Sequence, residues 1–153
     1  MMKMLKLGIV SLILILTLLA CSGDGGSDLS NSSGLSQDLT DAQKTPPDNY
    51  SGLSNPLKND ADTLEEGKNL YQANCSSCHG TGGKGDGPAS GGLDPKPQNL
   101  AENQNNLSDD YIFWRISEGG LMDPFTSLMP AWKGLLNDEQ IWQVITYVRT
   151  MGS

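Results

Sequence analysis

Residues 75–79 read Cys-Ser-Ser-Cys-His and hold two of the chain's three cysteines and its only histidine. Three chemistries fit this C-x-x-C-H spacing. In the first, each thiol adds across a haem vinyl group to form a thioether. The two-residue gap matches the two vinyls, and the adjacent His79 falls under the iron. In the second, Cys75 is the nucleophile of a redox dithiol, a motif that usually opens a helix in a βαβ setting. In the third, zinc is bound, but a structural zinc wants four protein ligands. Here Cys75, Cys78 and His79 have only carboxylates to complete the set. The first reading is the one the surroundings favour, because the motif follows a helical pattern and no period-two strand is evident.

Three helices are expected around these residues. Thr63-Leu64-Glu65-Glu66 has the form of a capping box. Leu64, Gly67, Leu70 and Tyr71 then recur on one face up to about Asn74. Ser108 can cap a second helix, DDYIFWRISEG, whose Asp109 and Asp110 suit its positive end. Asn137 and Gln140 begin a third, with Ile141, Trp142, Val144, Ile145 and Val148 apolar and Arg149 at the negative end. Between the first two lies a loop in which seven of the residues from Gly80 to Gly92 are glycine. Such a loop lets backbone approach something bulky, or is merely floppy. Met122, Phe125, Leu128, Met129 and Trp132 crowd a second irregular stretch and should cover something. The expected class is all-α, with about three main helices and long loops.

The chain has 153 residues, enough for one domain. Residues 1–20 have a basic start with Lys3 and Lys6 and an uncharged apolar run, the pattern of an export signal. Leu18-Leu19-Ala20-Cys21 resembles a bacterial lipobox, which implies lipid on Cys21 and a membrane anchor outside the cytoplasm. Residues 21–61 are rich in Ser, Gly, Asn and Asp and are read as a flexible tether, since they bury little apolar area. A local cap built on Tyr50, Leu53 and Leu57 is the alternative. Residues 62–153 form the working domain, short enough to need a staple beyond its own core. Loss of residues 1–20 removes Lys3 and Lys6, leaving 8 basic against 18 acidic side chains and a net charge of −10. That charge disfavours nucleic acid and anionic lipid as partners and permits a basic protein.

Residues 62–151 resemble a class I, monohaem cytochrome c of the bacterial periplasmic kind. The likeness rests on GKNLYQANC before the histidine motif, on the loops CHGTGGKGDGP and LDPKPQNL, on LMPAW, and on EQIWQVITYVRTM. It implies a cytochrome c fold in which Gly67 and Tyr71 pack against the last helix, with Val144 and Tyr147 at the crossing. It also implies one covalently attached haem c, held by Cys75 and Cys78, with His79 as one axial ligand to iron. The second axial ligand is a methionine. Met129 is favoured because it precedes Pro130 as in the family's Met-Pro pattern; Met122 is the alternative and Met151 is poorly sited. A carbonyl of Pro95 or Pro97 is expected to orient His79, and Trp114, Arg115, Trp132 and Lys133 are candidate donors to the propionates. The implied role is a membrane-tethered electron carrier between respiratory or other redox protein partners, periplasmic or otherwise extracytoplasmic. It is not an enzyme in its own right, and acts as a monomer or as part of a larger complex. Two alternatives are a haem-bearing subunit of an oxidase or dehydrogenase and a gas-binding sensor with an open iron.

Overall fold

The computed structural model describes residues 45–57 and 59–152. The expected export signal, the expected lipidation site Cys21 and the first part of the expected tether lie outside them. Five α-helices follow in order: α1 (Ala61–Asn74), α2 (Ser76–His79), α3 (Leu100–Asn103), α4 (Asp109–Glu118) and α5 (Asp138–Val148). No β-strand occurs among the described residues, only a single bridge between Lys133 and Leu136. The three helices of ten residues or more are those expected from the hydrophobic period. The two short ones are single turns, α2 directly after α1 and α3 in the loop before α4.

The cap of α1 differs from expectation. Asp60, not Thr63, is the N-cap; its carboxylate accepts from the Thr63 backbone N–H at 2.9 Å. A charged acceptor holds that amide more strongly than a neutral hydroxyl could, and the helix starts three residues earlier. At α5 the capping box is as expected. Asn137 accepts from the Gln140 N–H at 2.9 Å, and the Gln140 side chain accepts from the Asn137 N–H at 3.0 Å.

The core is one cluster. It joins Tyr71 of α1, Tyr111 to Trp114 and Ile116 of α4, and Ile141, Trp142, Val144, Ile145 and Val148 of α5. The largest interface between helices is that of α1 with α5. Its closeness depends on Gly67, where a Cβ would run into the backbone carbonyl of Gln143. Tyr71 fills the adjoining space, with its ring 5.5 Å from that of Tyr147 and its hydroxyl donating to the Gly80 carbonyl at 2.7 Å. Phe113 and Trp142 stack at 4.4 Å where α4 meets α5. A backbone carbonyl has no rotamer by which to yield. Gly67→Ala is therefore expected to part the two helices at a cost of about 1–3 kcal/mol. A thermal melt should show it as a drop of roughly 5 °C for each kcal/mol lost.

Two loop segments are more ordered than expected. Residues 45–57, part of the expected flexible tether, fold against the domain. The Tyr50 hydroxyl donates to Glu118 at 2.5 Å, and Asn55 bonds Thr146 and the Trp142 carbonyl. Tyr50 and Leu57 pack on the core, whereas Leu53 stays 39% exposed. Most of this anchoring is polar, which is why apolar content alone read the segment as unattached. The glycine loop is likewise tied down: Lys96 Nζ donates to the carbonyls of Ser90 and Gly91 at 2.9 and 3.0 Å.

The C-terminal end of α5 is fastened by one side chain. Arg149 donates to Asp109 through Nε at 3.0 Å, to the Leu107 carbonyl at 2.8 Å, and to the Gln104 carbonyl. It does more than complement the helix dipole; it closes the turn that leads into α4.

Candidate haem site

The five residues of the motif wind one tight turn. The amide of Cys75 still donates to the Tyr71 carbonyl at 2.8 Å, so α1 runs directly into it. The amides of Cys78 and His79 both donate to the Cys75 carbonyl, at 3.2 and 2.9 Å. This winding brings Cys75, Cys78 and His79 together in a single helical turn. Both thiols are free and half-buried.

The glycine loop is laid against this turn by backbone bonds. Gly85 N–H donates to His79 at 2.8 Å, Gly87 to Cys78 at 3.1 Å, and Ala89 to Ser77 at 2.8 Å. Gly87 is obligatory here, since a Cβ would strike the carbonyls of Ser76 and Ser77. The Gly83 carbonyl in turn accepts from Leu100 at 2.6 Å and from Ala101 at 3.2 Å. That chain of contacts brings residues 97–101 alongside the histidine.

His79 Nδ1 lies 3.1 Å from the carbonyl oxygen of Gln98. A carbonyl can only accept, so Nδ1 carries the proton and the Nε2 lone pair is left for a metal. Burial pushes the imidazole pKa below its ordinary value, the hydrogen bond to Gln98 opposing this more weakly. The ring is thus neutral at physiological pH, the form that can ligate. The orienting carbonyl was expected from Pro95 or Pro97; it comes instead from the residue after Pro97. A backbone acceptor leaves no trace in side-chain types, and only the two prolines flagged the loop.

Burial pushes the Cys75 thiol up to about 12, with the neighbouring Cys78 adding to the shift. A dithiol nucleophile needs the opposite, so the redox-dithiol chemistry does not fit. Among the described residues no three of His, Cys, Asp and Glu converge as a metal-holding group. Among those residues no complete donor set for zinc is present.

Of the methionines, Met151 is 7% exposed and its sulfur lies where a Cβ on Gly83 would be. It is a packing residue beneath the glycine loop. Met122 and Met129 are both half-buried against the core, with Phe125 and Trp132. The Met129 carbonyl accepts from Gly120 at 2.9 Å, and the amides of Trp132 and Lys133 donate to Ile116 and Ser117 at 3.0 and 3.1 Å. Residues 129–133 are thereby stitched to the end of α4.

Arg115 tests whether this surface suits a large anionic group. Its guanidinium carbon stands 3.6 Å from the Phe125 ring centroid and 5.7 Å from that of Trp114. Its Nη1 is buried with no hydrogen-bond partner among the described residues. Burial pushes its pKa down. A desolvated cation with an orphaned N–H is costly unless an anion joins it, and a haem propionate is such an anion. Lys133, another candidate, is already paired with Glu118 at 2.5 Å. Trp114 packs edge-on to Tyr111 and Phe125. With an oriented imidazole and two thiols in one turn, the residues present fit haem.

A family model described as "Cytochrome C oxidase, cbb3-type, subunit III" matches residues 62–148. The chain belongs to this family, as a class I monohaem cytochrome c. Among curated relatives, this cytochrome c domain is 34% identical over 88 residues to cytochrome c6 of Leptolyngbya boryana, covering 58% of the chain and 91% of that protein. It is 29% identical over 91 residues to the cbb3-type cytochrome c oxidase subunit FixP of Bradyrhizobium diazoefficiens, covering 57% of the chain. It spans only 27% of that subunit's length. Among solved structures, it matches a chain of a Kuenenia stuttgartiensis reducing HAO-like protein complex with a TM-score of 0.50 and 27% identity. That match covers 63% of this chain and 46% of the other. Membership in the cytochrome c family implies a haem c cofactor and electron transfer through it. No helix among the described residues is long and apolar enough to cross a membrane.

Proposed function

We propose that this chain is a membrane-tethered monohaem cytochrome c that passes single electrons between redox protein partners outside the cytoplasm. Cys75 and Cys78 would hold one haem covalently as two thioethers, each S–H added across a vinyl C=C with no net oxidation. His79 Nε2 and the Met129 sulfur would hold the iron, and Cys21 would carry the lipid. When bound, the haem supplies a one-electron Fe(II)/Fe(III) couple. The protein's part is to fix the ligands, keep water out and balance propionate charge through Arg115. With both axial positions filled no site is left for substrate, so the chain is a carrier and not an enzyme in its own right.

The observation that carries this reading is the His79 imidazole, neutral and aimed by Gln98, in one helical turn with two free thiols. Mass spectrometry of the mature protein, with visible spectra of both oxidation states, tests it. The expected result is one haem, a lipidated Cys21 and a thioether-to-iron band in the oxidised form. A colourless product with both thiols open to alkylation is the result that would sink it.

A second role, as a haem-bearing subunit of an oxidase complex, is favoured by the likeness to FixP subunits. Co-purification with a large membrane complex would support it. A monomer reduced freely by several donors would count for the free carrier.

A further inference from the structure

Residues 45–57 lie outside the span matched by the family model, yet they are bonded along the whole of α4. At the N-terminal end of α4, the Gly52 amide donates to Asp110 at 2.9 Å and the Asn55 amide to Asp109 at 3.3 Å. At its C-terminal end, the Tyr50 hydroxyl donates to Glu118 Oε1 at 2.5 Å. Between the two, the Tyr50 ring sits 6.2 Å from that of Phe113. The segment is a strap tied to both ends of α4.

The Glu118 oxygen that receives Tyr50 also receives Lys133 Nζ, at 2.5 Å. Lys133 closes the run that begins at Met129. That run is pressed on α4 so tightly that a Cβ at Gly119, whose φ is +76°, would strike Met129, Pro130 and Ala131. Strap, helix end and methionine loop thus share one carboxylate. We propose that the strap is a positioning element for the methionine loop, with Tyr50 holding the loop in place through Glu118 and Lys133. This rests on the reading of Met129 as an axial ligand.

The charges around the junction keep it constant near neutral pH. Burial and the Glu118 contact raise the Tyr50 pKa to about 12, with Asp138 adding to the shift, so the phenol keeps its proton. Lys133 and Tyr50 hold the Glu118 carboxyl below its ordinary range. The carboxylate is charged and the hydroxyl donates throughout.

The test uses haem-loaded full-length protein and carbon monoxide binding to the reduced form, which reports how often the sixth position opens. Tyr50→Phe keeps the ring and removes only the hydroxyl; it is expected to speed carbon monoxide binding about three- to tenfold, as loss of one charge-assisted hydrogen bond allows. Leu57→Ala thins the strap's apolar contact without touching the carboxylate. It should lower the melting temperature and leave carbon monoxide kinetics as in the parent. Unchanged kinetics in Tyr50→Phe, or an equal rise in both variants, overturns the positioning role while Met129 ligation stands. A parent protein with no thioether band overturns the ligation and the strap's role with it.

Discussion

Met129→Ala is expected to yield a protein that keeps its haem on denaturation yet takes up carbon monoxide rapidly in the reduced state. On the proposed ligation, attachment through Cys75 and Cys78 would not involve the methionine. The sixth position would, and no second histidine exists to fill it. A thioether favours ferrous iron, so the potential should fall, by about 59 mV for each tenfold loss of that preference. The loop should stay in place, because Gly120 bonds the Met129 carbonyl and not its side chain. Met122→Ala is the control and should retain the thioether band and exclude carbon monoxide. The reverse pattern would move the ligand to Met122.

Removing both thiols has the larger structural effect. In Cys75→Ala/Cys78→Ala, haem-stained denaturing gels and intact mass should show no bound haem at all. A domain of some 92 residues has little core to spare. The half-buried Met122, Phe125, Met129 and Trp132, and the orphaned Arg115 N–H, would then lose the group they fit. The loss is expected to rival the ~5–15 kcal/mol that holds a typical domain folded, so the cooperative melt seen by circular dichroism should vanish. Haem mass surviving on the double variant would place the attachment elsewhere.

Features that reside in side-chain type and period were legible from residue order alone. The stripe of Ile141, Val144, Ile145 and Val148 located α5, while the crossing at Gly67 was what the resemblance to cytochromes c implied. Cys75, Cys78 and His79 were legible as a unit from their types and spacing. Features that reside in backbone acceptors were not. Gln98 serves His79 through a carbonyl, and any residue could have supplied it. The strap was legible only as the alternative to a tether, because it is held largely by Asn55, by amides on Asp109 and Asp110, and by one phenol. Each looks solvent-facing until its distant partner is known. Thr63 misled because its amide, and not its hydroxyl, is the capped group.

The crossing of α1 with α5 joins residues at opposite ends of the domain's sequence. A chain emerging amino-end first from any pore or ribosome presents α1 and the two thiols long before residue 143 arrives. Until then Gly67 has nothing to nestle against, and the cysteines remain on an unclosed strand of polypeptide. The order of emergence thus opens an interval in which both sulfurs are accessible, and the arrival of α5 ends it.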